Sequence, residues 1–230
     1  MNDSSDNSPF RGIRGNSYFV TPYILFFIVV LAALVHYPKA ELHLLMNQNH
    51  TSAADWFFRI WTEFGGNIIP FVIIFLFLFY RYSFSLFLLA SKLTGVVIFS
   101  VAKLIFTEPR PLYYFQIHFP QISLPTVEGV RMLNDYSFPS GHTTSAFAIF
   151  FGLSLLVRNK WLKLTFFIVA ALVGYSRVYL SQHFAVDILA GSVIGIFSAL
   201  ICRPLLVKFD QNWGRKSLSE VFIKKSARSC

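Results

Sequence analysis

The sequence predicts an all-α fold: a six-transmembrane-helix bundle with an additional interfacial amphipathic helix. Three observations predict it. Hydrophobic residues make up 55% of the 230-residue chain, charged residues only 13%, and Phe alone supplies 27 positions. The apolar residues fall in blocks, as a bilayer-spanning chain requires and as a soluble domain of this size could not bury. Two connections between blocks run to roughly thirty residues, too long to be plain turns.

Residues 1–22 form a polar N-terminal segment. Its start carries Asp3 and Asp6 and does not read as a signal peptide, so the first apolar run is expected to remain as an anchor. Six runs follow, at 23–37, 68–80, 83–106, 143–157, 162–175 and 185–206. Several are shorter than the ~20 residues a spanning helix needs, so their helices should extend into flanking polar residues. Residues 23–206 are therefore expected to form one six-span domain, with 207–230 as a basic tail.

The first long connection contains Trp56, Phe57, Ile60, Trp61 and Phe64 at helical spacing, with Arg59, Thr62 and Glu63 elsewhere on the wheel. An amphipathic helix with two Trp suits the membrane interface; a helix capping the bundle would show the same pattern. Gly191 and Gly195 are four apart in the last run, a spacing that favours close helix packing.

The net charge of +9 is unevenly spread. Arg11, Arg14, Arg81, Arg158, Lys160, Lys163 and seven cations beyond Cys202 fall on the side shared by both ends and the short joints. The positive-inside rule makes that side cytoplasmic and turns the long connections outward. The tail suits an anionic leaflet. No basic-and-aromatic pattern of a nucleic-acid module is present, so nucleic acid is not an expected partner. Cys202 and Cys230 give no disulfide framework.

Three polar segments sit on the outward side, where charge near membrane depth is costly and usually functional. Residues 103–111 close the third run with Lys103, then Arg110 bracketed by Pro109 and Pro111. Alone, these cations could be ordinary snorkelling residues. Residues 136–144 open the fourth run with Pro139, Ser140, Gly141 and His142. Pro followed by Ser signals a helix start, whose unpaired N–H groups suit an anion, and Gly141 permits close backbone approach. Residues 176–187 join the last two runs and carry Arg177, His183 and Asp187. On one helix, His183 and Asp187 would share a face, and the carboxylate would fix the imidazole tautomer.

Together, one lysine, two arginines and a helix N-terminus make a site for a dianion such as phosphate. Two histidines supply a nucleophile and an acid. No ligand cluster suggests a metal site, and no cofactor is expected.

These segments read Lys-x6-Arg-Pro, Pro-Ser-Gly-His and Ser-Arg-x5-His-x3-Asp, and in that pattern and order the chain resembles the type 2 phosphatidic acid phosphatase superfamily. The resemblance implies a membrane lipid phosphatase working through a phosphohistidine. It implies that Lys103, Arg110, Ser140, the Gly141 amide and Arg177 bind phosphate oxygens, that His183 attacks phosphorus with Asp187 orienting it, and that His142 protonates the leaving group. The superfamily is similar to vanadium haloperoxidases, which are soluble, so six spans argue against that activity. A lipid phosphotransferase on the same scaffold is the alternative enzyme; an anion-binding membrane protein leaves the His–Asp spacing unexplained. The expected partners are a lipid phosphate substrate and membrane lipids, with the oligomeric state open. The expected setting is a bacterial inner membrane, with both ends cytoplasmic and the active site periplasmic. Lys92 is expected to snorkel toward the cytoplasmic side. His36, His43, His50 and His118 are expected at surfaces or interfaces, and Asn49-His50-Thr51 fits a glycosylation acceptor.

Overall fold

The computed structural model describes residues 13–220, so Arg11 and the tail cations Lys224, Lys225 and Arg228 lie outside the described residues. All regular structure among them is helical. The α-helices are α1 (Ser17–His36), α2 (Lys39–Asn47), α3 (Ser52–Trp61), α4 (Ile68–Leu78), α5 (Tyr82–Ile105), α6 (Pro111–His118), α7 (Gly141–Leu156), α8 (Lys160–Tyr179) and α9 (Ala185–Phe209).

Each of the six apolar runs falls on a helix, yet they are not six equal spans. Four helices, α1, α5, α8 and α9, are long and apolar enough to cross a membrane. A fifth crossing is made if Ser52–Gly65 and Ile68–Leu78, bent by 49° to one another, count as one broken span. Helix α7 has only 16 residues. It is the core of the bundle: every residue from Thr143 to Leu155 is buried, against α5, α8 and α9. A helix apolar all round is stable only when neighbours enclose it.

Phe19 of α1 meets Phe147, Phe151 and Phe167 edge-on, with centroids 5.1–6.4 Å apart. Gly191 and Gly195 allow α9 to lie on α7, because a Cβ at Gly195 would sit 2.5 Å from the Thr144 carbonyl oxygen.

The connections sort by end. Arg81, in the α4–α5 joint, pairs with Asp210 just after α9 at 3.2 Å, and Ser83 donates to the same carboxylate at 2.9 Å. Lys163 at the start of α8 donates to the Gly15 carbonyl at 2.7 Å. The short joints thus share one end of the bundle with both ends of the described chain. The opposite end carries the last turn of α5, the first turn of α7, the α8–α9 link and the three short helices.

The first long connection is helical along most of its length. Thr51 caps α3 by accepting from the Ala54 N–H. Trp61 and Phe64 pack on the core, and Phe58 packs on Tyr175 and Tyr179 of α8. Trp56 and Ile60 remain exposed, at 60% and 43%. The helix therefore caps the bundle and also offers an aromatic edge outward. After it, a 3₁₀ turn (Thr62–Gly65) dips into the bundle. Gly65 makes this possible, since any Cβ there would meet the His142 carbonyl oxygen at 2.4 Å and Val173 at 2.6 Å.

Two side chains lie elsewhere than expected. Lys92 does not snorkel: it is 3% exposed and donates to Ser145 Oγ at 2.8 Å and, more weakly, to the Gly66 carbonyl at 3.4 Å. The inward face of α5 captures it before its stem can reach either interface. His43 is buried, with its ring centroid 5.8 Å from Phe115 and 5.2 Å from Phe184. Desolvation lowers its pKa to about 4, against a smaller upward pull from Asp187. His50 is only partly exposed; it stacks on Tyr179 at 4.2 Å and meets Asp55 at 2.7 Å. His36 and His118 are exposed, as expected.

Candidate active site

A cavity of about 710 Å³ opens at the end of the bundle that carries the three polar segments, and its wall includes Lys103, Arg110, Gly141, His142, Arg177 and His183. Residues some eighty positions apart in the chain are thereby brought to one volume.

Lys103 occupies the last turn of α5, one face along from Val96 and Phe99. Its ammonium donates to the Tyr136 carbonyl. Tyr136 has φ 59°, a left-handed conformation uncommon for an aromatic residue. Arg110 follows in extended backbone, fixed by Pro111 at the first position of α6. It is 8% exposed and donates through Nε to the Asp135 carbonyl (3.0 Å) and through Nη1 to the Gln182 carbonyl and Oε1 (3.1 Å each). Burial lowers its pKa, with Asp187 pulling the other way.

Arg177 stands in the last turn of α8 and is 6% exposed. It donates to Thr62 Oγ1 at 2.7 Å and to Gln182 Oε1 at 3.4 Å, while its buried Nε has no partner among the described residues. Two guanidiniums thus share one amide oxygen, and among the described residues no carboxylate hydrogen-bonds to either; Asp187 acts on Arg110 and Glu63 on Arg177 only through space. Buried cations without a hydrogen-bonded carboxylate leave a place for a bound anion to complete them.

Beyond Arg177, α8 stops in a turn. The Gln182 and His183 N–H groups both return to the Arg177 carbonyl, and Ser181 takes φ 51°. His183 is consequently not on a helix with Asp187, contrary to expectation. It lies in the link, and Asp187 lies in the first turn of α9, where its Oδ2 accepts from the Phe184 N–H at 2.9 Å. The same oxygen accepts from Ser137 Oγ and stands 3.4 Å from His183 Nδ1, an ion-pair distance rather than a short hydrogen bond. Nδ1 faces the carboxylate, so Nε2 is the nitrogen left for the cavity. The His183 pKa is pulled well below its ordinary value, first by burial and then by Arg110, Arg177 and Lys103. The site thus favours the neutral form of the imidazole.

Gly141 starts α7 on the cavity wall; a Cβ there would meet the Phe99 ring at 3.3 Å. Ser140 does not reach the wall. It is fully buried, and its Oγ caps α7 by accepting from the Thr143 hydroxyl (2.9 Å) and N–H (3.4 Å). His142 lines the cavity, and among the described residues nothing hydrogen-bonds its ring. No group of three His, Cys, Asp or Glu side chains among them could hold a metal ion.

Three residues of this arrangement had no part in the site expected from the sequence. Gln182 joins the two arginines, Thr62 receives Arg177, and Ser137 engages Asp187. Gln182 and Ser137 flank the motifs and could have been flagged for that; nothing in the sequence ties Thr62 to a residue 115 positions later.

The chain is similar to several known proteins. The lipid A 4'-phosphatase of Porphyromonas gingivalis is 31% identical over 162 residues, covering 69% of this chain and 68% of that protein. The undecaprenyl-diphosphatase BcrC of Bacillus subtilis is 33% identical over 106 residues, 46% of this chain and 49% of its own. A crystal structure of Aquifex aeolicus LpxE superimposes with a TM-score of 0.64 at 26% identity, covering 74% of this chain and 98% of that one. The PAP2 superfamily model matches residues 84–210, more than half the chain and all three motifs. The chain belongs to the PAP2 superfamily.

Proposed function

We propose that this protein is an integral membrane lipid phosphatase that hydrolyses a lipid phosphomonoester or diphosphate through a phosphohistidine on His183. One observation carries the reading: a buried imidazole and three cations, drawn from two separate segments, converge on one cavity. Lys103, Arg110, Arg177 and the Gly141 N–H bind the phosphoryl oxygens, and Ser140 holds the helix start that faces them. Nε2 of His183 attacks phosphorus while Asp187 orients the ring and balances its charge. The bond from phosphorus to the lipid oxygen breaks, and that oxygen takes a proton from His142. Water then attacks the phosphohistidine, returns a proton to His142 and releases phosphate. The relatives named for lipid A and undecaprenyl diphosphate supply the substrate candidates.

The bundle crosses the membrane six times, with the bent α3–α4 pair and α7 each counted as a crossing. Both ends are cytoplasmic and the cavity faces the periplasm of a bacterial inner membrane. Support comes from Arg81, Arg158, Lys160 and Lys163, which all belong to the joints at the end opposite the cavity.

The test is phosphate release by the purified protein across a panel of lipid phosphates, with rapid-quench labelling. Acid-labile, base-stable label on the wild type and none on His183→Ala is expected. No release from any lipid phosphate, or label persisting in His183→Ala, would refute the proposal.

A further inference from the structure

Lys92 is a cation near the middle of a spanning helix, and the site just described does not use it. It lies on the same face of α5 as Lys103: Lys92, Val96, Phe99 and Lys103 all line the cavity, at spacings of four, three and four. Eleven residues of helix put its Cα about 16 Å deeper than that of Lys103. Its side chain nevertheless ends close to the catalytic level. The ammonium reaches Ser145 of α7, three residues and one turn, about 5 Å, beyond His142.

Among the described residues no carboxylate hydrogen-bonds this ammonium, although the cavity wall carries one acid, Glu63, beside Gly66. The ammonium's neighbours are a serine hydroxyl, one long contact to the Gly66 carbonyl and the Phe71 ring, whose centroid is 5.2 Å away. A lysine has three N–H donors, and two are accounted for by neutral acceptors. An isolated buried ammonium is expensive, and an ionisable residue at membrane depth is retained where an ionic ligand meets it. Lys92, Ser145 and His142 all border the same cavity, so that ligand is within reach of the reacting phosphate.

We infer that Lys92 and Ser145 form a second anion subsite holding the inner phosphate of a lipid diphosphate, which makes that class the preferred substrate. The inference rests on the phosphatase reading above. With the outer phosphate held by Lys103, Arg110 and Arg177, the inner phosphate lies one turn deeper, beyond His142. His183 attacks the outer phosphorus, and the bond to the bridging oxygen breaks. That oxygen keeps the electron pair and takes the His142 proton, so the leaving group is a lipid monophosphate whose charge Lys92 offsets. A monoester leaves as an alcohol and gives Lys92 no charge to meet. Beyond the subsite the cavity borders Ile68, which is 73% exposed on the outside of the bundle and can meet the lipid tail.

The experiment compares farnesyl diphosphate with farnesyl monophosphate, which share one tail, using the purified full chain in detergent. Wild type should favour the diphosphate in kcat/KM. Lys92→Met should lose roughly tenfold more on the diphosphate than on the monophosphate, mostly through KM, as expected for a lost charge-assisted contact. Lys92→Arg should recover part of that selectivity. Ser145→Ala leaves the ammonium in place and should shift the ratio in the same direction, so the test survives if Lys92→Met does not fold. Equal losses on the two lipids in a variant with wild-type thermal unfolding would reduce Lys92 to a strut between α5 and α7 and overturn the inference alone. So would a wild type that prefers the monophosphate. Release from neither lipid would overturn the phosphatase reading as well.

Discussion

Gln182 offers the sharpest test of how the cation cage is built. Its Oε1 receives Arg110 at 3.1 Å and Arg177 at 3.4 Å, and its main-chain carbonyl receives Arg110 again at 3.1 Å. Gln182→Ala removes the shared acceptor and keeps the main-chain one. A hydrogen bond to a charged group contributes ~1.5–3 kcal/mol, and the longer contact contributes less, so the loss is about 2–3 kcal/mol of cage organisation. If that organisation is realised on the phosphoryl group, kcat/KM falls roughly 30- to 150-fold. Gln182→Glu separates geometry from field. It keeps the shape and strengthens both hydrogen bonds, but it puts a negative charge between the guanidiniums. It also removes the Nε2 donor to the Arg131 carbonyl and Met132 Sδ, a loss it shares with Gln182→Ala. An acceptor needed only for geometry would be restored by glutamate; a cage that works by its positive field would not. We expect Gln182→Glu to be at least as impaired as Gln182→Ala, with vanadate inhibition weakened in parallel. The assay is phosphate release from a short-chain lipid phosphate in detergent, with vanadate competition. Activity of Gln182→Ala within twofold of wild type, or full activity of Gln182→Glu, would refute the reasoning.

Other outcomes follow from the same geometry. His142→Ala should lose ~10²–10⁴-fold on a lipid monoester, whose oxygen needs a proton to leave, and much less on p-nitrophenyl phosphate, whereas His183→Ala should lose both substrates alike; equal profiles for the two variants would contradict the division of roles. His43 is neutral in the fold, with a pKa of about 4 against 6.5 unfolded. The unfolded chain binds the extra proton between those values, so stability should fall by up to about 3 kcal/mol as pH drops from 6.5 towards 4. His43→Phe should flatten that part of the thermal-unfolding profile, and an unchanged slope would show that the buried imidazole is not its cause. Vanadate should inhibit while chelator leaves activity nearly intact, because Lys103, Arg110 and Arg177 supply the charge that a metal would otherwise bring; activity lost to chelator and restored by magnesium or zinc would contradict the cage.

The sequence and the structure agree where information is local. Apolar blocks reveal helices, and Ser140 before Gly141 reveals the start of α7. They diverge where the outcome depends on which face of a helix meets which neighbour. Helix α7 is too short to read as an ordinary span, yet it is the buried centre, because enclosure by α5, α8 and α9 is a property of the assembly. Lys92 looks like any lone lysine in an apolar run until α5 turns it toward Ser145. The His183–Asp187 spacing suggests one helical face; the left-handed turn at Ser181 breaks the helix first, and the carboxylate meets the ring from the start of the next one. Thr62 and Arg177 meet only through tertiary packing, which no local pattern encodes.

The Thr62–Gly65 turn has a consequence for biogenesis. A membrane protein is threaded into the bilayer from its N-terminal side, so this turn enters well before α8 delivers Arg177. The acceptor for that guanidinium is therefore made before the cation, and only a glycine at 65 lets it settle against His142 and Val173 once α7 and α8 arrive. A shortened chain restricted to residues 84–210 would keep every motif residue but insert Arg177 with no Thr62 to receive it. The minimal unit able to assemble the site is therefore larger than the segment that identifies the family.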